Sequence, residues 1–313
     1  MATLPNPLPK LAADPSGRTL GLELPAGRLI DATHDGPWHE PLLWCADEPA
    51  APGAWAALAP ARRTAGLLPV LLDVGGPHGA PEEWELMPAE ASYPGDHDAE
   101  EVLAEFWEEY AADELSDGEG RPGEERAEEV FGAPASGDGT VAPFGPVWPG
   151  LAPAARLTTD AGSDAGSDSG SGSGSDETVD PDAHAAGTAD SLTTDGSWLK
   201  EPRLALVPAR RSADIPAALG WSGPLNHESD PARLCAVLRS WEDRYGIRVV
   251  ALTFDRLVLS VAAPPTTPAE AEAVAAEHFA FCPDNITQSH HETLRAYAAH
   301  EVLNQRTWSF WWD

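Results

Sequence analysis

From Asp160 to Ser175 the chain reads Asp-Ala-Gly-Ser-Asp-Ala-Gly-Ser-Asp-Ser-Gly-Ser-Gly-Ser-Gly-Ser, with almost no apolar side chain to bury. Ordering backbone costs about 1–2 kcal/mol per residue, and a run of this composition has nothing to set against that cost. The folded parts must therefore lie on either side of it. The sequence predicts a flexible N-terminus over residues 1–19 and a β-rich region ending in a helix over 20–112. An acidic Gly/Ser-rich disordered linker follows over 113–197, then a compact C-terminal domain over 198–313.

The formal charge of −32 sits mainly in the same middle region. Residues 81–199 carry 29 acidic and 3 basic side chains, whereas 1–80 and 200–313 each come to −3. A polyanionic middle repels nucleic acid and anionic membrane, so neither is expected as a partner. Its simplest role is a self-repelling spacer, although a basic partner protein would also suit it. Lysine occurs only as Lys10 and Lys200, a bias that fits a high-G+C bacterial genome. Cys45, Cys235 and Cys282 are odd in number and widely spaced, which is neither a disulfide framework nor a paired zinc pattern. With no apolar leader after Met1 and no apolar run of membrane-spanning length, a cytoplasmic location is expected.

Apolar runs at Leu20–Leu24, Arg28–Ile30 and Pro41–Cys45, broken by Pro and Gly, read as short strands. Gly66–Leu72 is the strongest strand candidate, continuous enough for burial on both faces. Its Pro69 points to an edge or bulged position, because proline has no N–H for a ladder. Asp98–Tyr110 reads as a helix with Val102, Leu103, Phe106 and Tyr110 on its apolar stripe.

Beyond the linker, Leu204–Val207 reads as a strand and Ser212–Gly220 as a short helical turn. Pro231–Tyr245 is a helix capped by Ser229 or Asp230 and stopped by Gly246. Ile247–Phe254 and Leu257–Val261 form a hairpin through Asp255-Arg256. Helices are expected at Pro268–Phe281 and Ser289–Leu303, then a terminal strand with Trp308, Phe310 and Trp312 on one face and Trp311 on the other. The fold class is α+β, an antiparallel sheet with packed helices, interrupted by the linker. Whether the N-terminal strands form their own domain or complete the C-terminal sheet is left open by the sequence.

Several phrases recur as a set: Ala218-Leu-Gly-Trp221 with Asn226, Leu238-Arg-Ser-Trp-Glu-Asp-Arg-Tyr-Gly246, Ala263-Pro-Pro265, Ala276-Glu-His-Phe-Ala-Phe-Cys-Pro-Asp-Asn-Ile286 and Trp308-Ser-Phe-Trp-Trp-Asp313. In this order they resemble the bacterial domain-of-unknown-function family 4253, common in actinobacteria, over about Leu204–Asp313. Leu24-Pro-Ala-Gly27 and Gly66-Leu-Leu-Pro69 look like the leader of similar full-length proteins. The resemblance carries over no activity and no site residues.

Candidate chemistry concentrates at Glu277, His278, Cys282 and Asp284, with His290 and His291 beyond. His278 and Cys282 are one helical turn apart, a spacing that suits acid–base work beside a nucleophile or a pair of metal ligands. Against this, Ala271, Val274, His278 and Phe281 form one apolar stripe, which makes His278 a core residue. Cys282 reads as a small apolar residue at a helix end, and Asp284 as a cap. Trp311, Arg239 and Trp241 are candidate binding residues, with Arg239 expected in surface ion pairs with Glu242 and Asp243. No phosphate-loop, dinucleotide or Gly-x-Ser-x-Gly signature occurs. The expectation is a non-enzymatic protein-binding or regulatory factor of immunity or accessory type, without a metal or cofactor. The alternative is a hydrolase-like or metal-assisted enzyme built on the Glu277/His278/Cys282/Asp284 set.

Overall fold

The computed structural model describes residues 6–118, 139–154, 179–291 and 293–313. Nine strands are present among them: β1 Gly27–Ile30, β2 Ala32–Thr33, β3 Gly36–Pro37, β4 Leu43–Pro49, β5 Leu67–Asp73, β6 Pro202–Pro208, β7 Ile247–Leu252, β8 Arg256–Val261 and β9 Thr307–Trp311. β2 and β3 form a small hairpin, and the rest make one seven-stranded sheet in the order β1-β4-β6-β5-β7-β8-β9. Only β5 and β7 pair in parallel; the other neighbours are antiparallel. The fold is α+β.

β5 comes from the N-terminal region, yet it lies between β6 and β7. It pairs with β6 along its whole length, from Leu67 opposite Pro208 to Asp73 opposite Pro202. The N-terminal strands thus complete the C-terminal sheet. Pro69 sits in a central strand and not at an edge. The ladder to β7 registers only Leu71 and Leu72, so Pro69 lies outside it and its missing N–H breaks no β5–β7 bond. Near that gap the Val249 N–H donates to Ser212 Oγ at 2.8 Å, a side chain standing in for a strand carbonyl.

Burial on both faces explains why β5 reads as a continuous apolar run. Leu68, Val70 and Leu72 enter one core, and Leu67 and Leu71 the other. The first core lies under helices Ala99–Gly118, Pro231–Tyr245 and Pro268–Phe281. The second lies under the short helices at Pro9–Ala13, Ala54–Leu58 and Ala61–Ala65 and the longer Pro181–Leu192. Capping follows the sequence signals. Asp98 Oδ1 accepts from the N–H groups of Glu100 and Glu101, Asp230 Oδ1 accepts from Ala232 N–H, and Thr267 forms a capping box with Glu270. Gly246 closes its helix in the left-handed region at φ 63°.

Two stretches expected to be unstructured are partly packed. Within residues 1–19, Leu8 and Leu11 are buried, and Asn6 Nδ2 donates to Pro41 O at 2.8 Å. Of the linker drawn over 113–197, residues 119–138 and 155–178 lie outside the described residues. In the remainder, Pro181–Leu192 is a helix capped by Asp180, with Ala185, Ala189 and Leu192 buried. A stripe of such small side chains carries little hydropathy and is masked by its acidic surroundings. Phe144 and Trp148 pack against Trp107 at 6.1 and 5.8 Å between ring centroids, whereas Phe131 lies outside the described residues.

Three smaller expectations shift. Leu20–Leu24 is not a strand, because Gly17 and Gly21, both at φ 71°, turn the chain there. The helix expected over Ser289–Leu303 begins only at Leu294 and passes into a π-helical turn at Ala298–Val302. The β7–β8 turn is Thr253–Asp255, with Thr253 Oγ1 accepting from Arg256 N–H at 2.9 Å, which makes Arg256 the first residue of β8. No helix among the described residues is long and apolar enough to cross a membrane.

Candidate functional site

The polar cluster singled out from the sequence does not gather around a cleft. Glu277 is fully buried, and donors surround its carboxylate. Arg244 Nη1 reaches Oε1 at 2.7 Å and Nη2 reaches Oε2 at 2.5 Å; Trp241 Nε1 donates to Oε2 at 2.6 Å and Ala152 N–H to Oε1 at 2.7 Å. The pair holds three separate parts of the chain together: the Pro231–Tyr245 helix, the Pro268–Phe281 helix and the segment at Ala152. Trp241, a candidate binding residue, is itself buried with its indole N–H spent on this carboxylate.

His278 is also fully buried, among Trp241, Trp308 and Phe310 at 4.6–5.0 Å between ring centroids. Its Nδ1 meets Tyr297 Oη at 3.1 Å, and Asn285 Nδ2 donates to that same hydroxyl at 3.2 Å. Nε2 has no hydrogen-bond partner, and the imidazole packs edge-to-face with Trp308 and Phe310. Burial, aided by the nearby Arg244 charge, pulls the His278 pKa down to about 3, so the ring is neutral near pH 7.

Cys282 is buried, and its Sγ donates to Trp311 O at 2.9 Å. Burial pushes its thiol pKa up, away from the thiolate a nucleophile needs. Asp284 lies outside this core, where its carboxylate accepts from Asp313 N–H and Gln288 Nε2. His291 Nε2 meets Glu301 Oε1 at 2.9 Å and the ring stacks on His300, in a turn ahead of the Leu294 helix. Among the described residues no group of three or more His, Cys, Asp or Glu side chains is placed to hold a metal ion.

Arg239 is paired, though not with Glu242 and Asp243. It grips both oxygens of Asp214 at 2.5 and 3.0 Å and lies over the Tyr93 ring. Arg211 takes Glu242 and Asp243 instead.

A concave feature lies at the carboxyl ends of β5 and β7, where the parallel pair opens. It measures about 300 Å³. Three chain segments meet there beside Trp84: Asp73–Gly79 at the end of β5, Trp198–Lys200 before β6, and the Thr253–Arg256 turn. Asp73 ties the first two together, accepting from the N–H groups of Gly75, Lys200 and Glu201 at 2.7–3.2 Å. The approach needs glycine, since a Cβ on Gly75 would lie 2.8 Å from Lys200 Cβ and 2.9 Å from Glu201 N.

Aromatic and cationic side chains line this cleft. His78 stacks on Phe254 with centroids 3.8 Å apart. The Arg256 guanidinium lies over Trp198 at 5.5 Å and over Trp311 at 5.9 Å. Trp311 is opposite Arg256 in the β8–β9 register, so the sheet itself sets that contact. Trp311 Nε1 donates to Asp255 Oδ2 at 3.2 Å. Trp311 is thus the sequence candidate that borders the cleft. Asp73, His78, Trp198, Lys200, Phe254 and Arg256 were not singled out. The available signals were faint: a glycine-rich loop directly after the strongest strand, and one of the chain's two lysines two residues after a tryptophan.

With that geometry in place, residues 203–313 match the family model described as Domain of unknown function (DUF4253). The matched segment begins inside β6 and contains β7, β8 and β9, but β5, which separates β6 from β7, lies outside it. The cleft accordingly straddles the segment boundary, with Asp73, His78, Trp198 and Lys200 on one side and Phe254 and Arg256 on the other. Comparisons with curated proteins and with solved structures return no match.

Proposed function

We propose that this chain is a non-enzymatic, protein-binding regulatory factor of accessory or immunity type. Its recognition face is the rim of the cleft at Trp198, Arg256 and Trp311. The observation carrying this reading is the Trp198–Arg256–Trp311 cluster: a guanidinium in contact with two indole rings, with Trp198 46% exposed. Tryptophan and arginine together are the side chains that dominate protein–protein hot spots. The enzyme alternative requires Glu277, His278, Cys282 and Asp284 to converge on a pocket. Glu277, His278 and Cys282 are committed to core contacts and Asp284 lies outside that core, which weighs against it.

The same proposal puts the chain in a bacterial cytoplasm. All three cysteines are buried and unpaired, a usage suited to a reducing compartment. The strongly acidic composition supports a protein partner over nucleic acid or membrane.

The test is affinity capture with immobilised full-length chain beside Trp198→Ala and Arg256→Ala variants. A partner retained by the parent chain and lost from both variants supports the reading. Equal retention by all three, or loss of function on truncating His278 or Cys282 with thermal stability intact, overturns it.

A further inference from the structure

We propose that the cleft at the ends of β5 and β7 is a binding site for a small planar anion, an aromatic or heterocyclic ring bearing a phosphate or carboxylate. The inference rests on reading this face as a recognition surface, and it adds a ligand to the partner.

Charge is the first argument. Lys200 and Arg256 both line the cleft, and neither forms an ion pair among the described residues, in a chain whose formal charge is −32. Most of the other arginines described here are held by carboxylates, as Arg211, Arg239, Arg244 and Arg248 show. The two acidic residues in the cleft wall form no ion pair with these cations. Asp73 is buried and its oxygens accept from three backbone N–H groups. Asp255 accepts from Thr253 Oγ1 at 2.8 Å and from the Trp311 indole at 3.2 Å. The carboxylates thus brace the walls, leaving the ammonium and guanidinium as the free charged donors. Such donors bind phosphate or carboxylate oxygens more strongly than neutral ones do.

Shape is the second argument. The stacked His78–Phe254 pair and the exposed Trp198 give flat surfaces on which a ring can lie. About 300 Å³ is at the small end of ligand pockets, enough for one ring system and its anionic group. The location fits as well: chains leaving the carboxyl ends of parallel neighbours diverge and open a crevice at the sheet edge.

The experiment is isothermal titration of the full-length chain with adenosine 5′-monophosphate and with indole-3-acetate. Adenosine and inorganic phosphate serve as arms carrying half the chemistry each. We expect both ring anions to bind and both halves to bind at least about tenfold more weakly, the size of one lost charge-assisted contact. Lys200→Gln and Arg256→Gln should each weaken ring-anion binding by about tenfold, with unchanged melting temperature because both side chains are exposed. The inference is overturned if neither ring anion binds, if adenosine binds as well as its monophosphate, or if both variants bind like the parent. Partner capture that depends on Trp198 and Arg256 while no ring anion binds would sink this inference and leave the proposed function standing. Binding of a ring anion without such capture would do the reverse.

Discussion

Arg244 and Glu277 form a two-pronged ion pair inside the core, with Nη1–Oε1 at 2.7 Å and Nη2–Oε2 at 2.5 Å. Taking a carboxylate out of water is expensive, and four hydrogen bonds replace the hydration of Glu277 there. The pair ties two helices and the Ala152 segment into one unit. Both Glu277 oxygens are thereby occupied by donors of the core.

Breaking this pair on one side leaves a buried charge without its partner. Glu277→Ala or Arg244→Ala should cost about 3–5 kcal/mol in urea unfolding, whereas the double change Arg244→Met with Glu277→Met should recover much of it. A cost near zero for either single change would show that the pair does not hold the core.

Asn285 finishes the sheet where β9 has no further strand. Its Oδ1 accepts from Trp311 N–H at 3.1 Å and its Nδ2 donates to Ser309 O at 2.7 Å, so one amide mimics a neighbouring backbone. Asn285→Ala should lower stability by about 1–3 kcal/mol and speed amide exchange at Trp311, whereas Asn285→Asp should lose the Nδ2 bonds to Ser309 O and Tyr297 Oη and keep the Trp311 bond. Unchanged exchange at Trp311 would refute the role.

Acid should destabilise the fold through buried His278 and half-buried His227. Burial lowers the pKa of His278 to about 3 and of His227 to about 4, both below the ordinary value of 6.5. The unfolded chain binds those protons first, so their stabilising effect is full above pH 6.5 and is lost as pH falls towards 3–4. Between pH 6.5 and 5 each contributes a slope of up to about 1.4 kcal/mol per pH unit. Unfolding curves for His278→Gln should show a shallower slope over that window; an unaltered slope would mean that His278 titrates normally.

The segment matched by the family model should not fold alone. Without β5, β6 loses its ladder from Leu67 to Asp73, and β7 loses its parallel neighbour. Leu204 and Leu206 would also face water, since their core is completed by Leu67, Leu71 and the N-terminal helices. Residues 203–313 made separately should show no cooperative thermal transition, whereas the full chain should. A sharp transition in the fragment would show that its sheet closes up without β5.

Much of the fold was legible in the chain because it is written in local chemistry. Asp230, Pro231 and Gly246 mark a helix through capping and φ preference, whatever it packs against. The 3.6-residue stripes and the alternation of Trp308, Phe310 and Trp312 place core faces in the same way. His278 was assigned to the core correctly because its stripe is a local property of its helix.

Long-range pairing was not legible. Leu67–Asp73 reads as a strand from its own residues, but nothing local says that its partner is Pro202–Pro208, more than a hundred residues away, or that Pro69 falls where the next ladder has not begun. The cleft is hidden for the same reason. Asp73, Lys200 and Arg256 are ordinary surface types when taken singly, and they become a site only when the parallel ends of β5 and β7 bring their loops together. What the sequence by itself determined is which segments are helix or strand and which faces are apolar, since backbone propensity and burial periodicity act over a few residues. The tertiary structure alone decided which charges are spent in the core, like Glu277, and which stay open in a cleft, like Lys200, because that depends on contacts the chain makes only after it has folded.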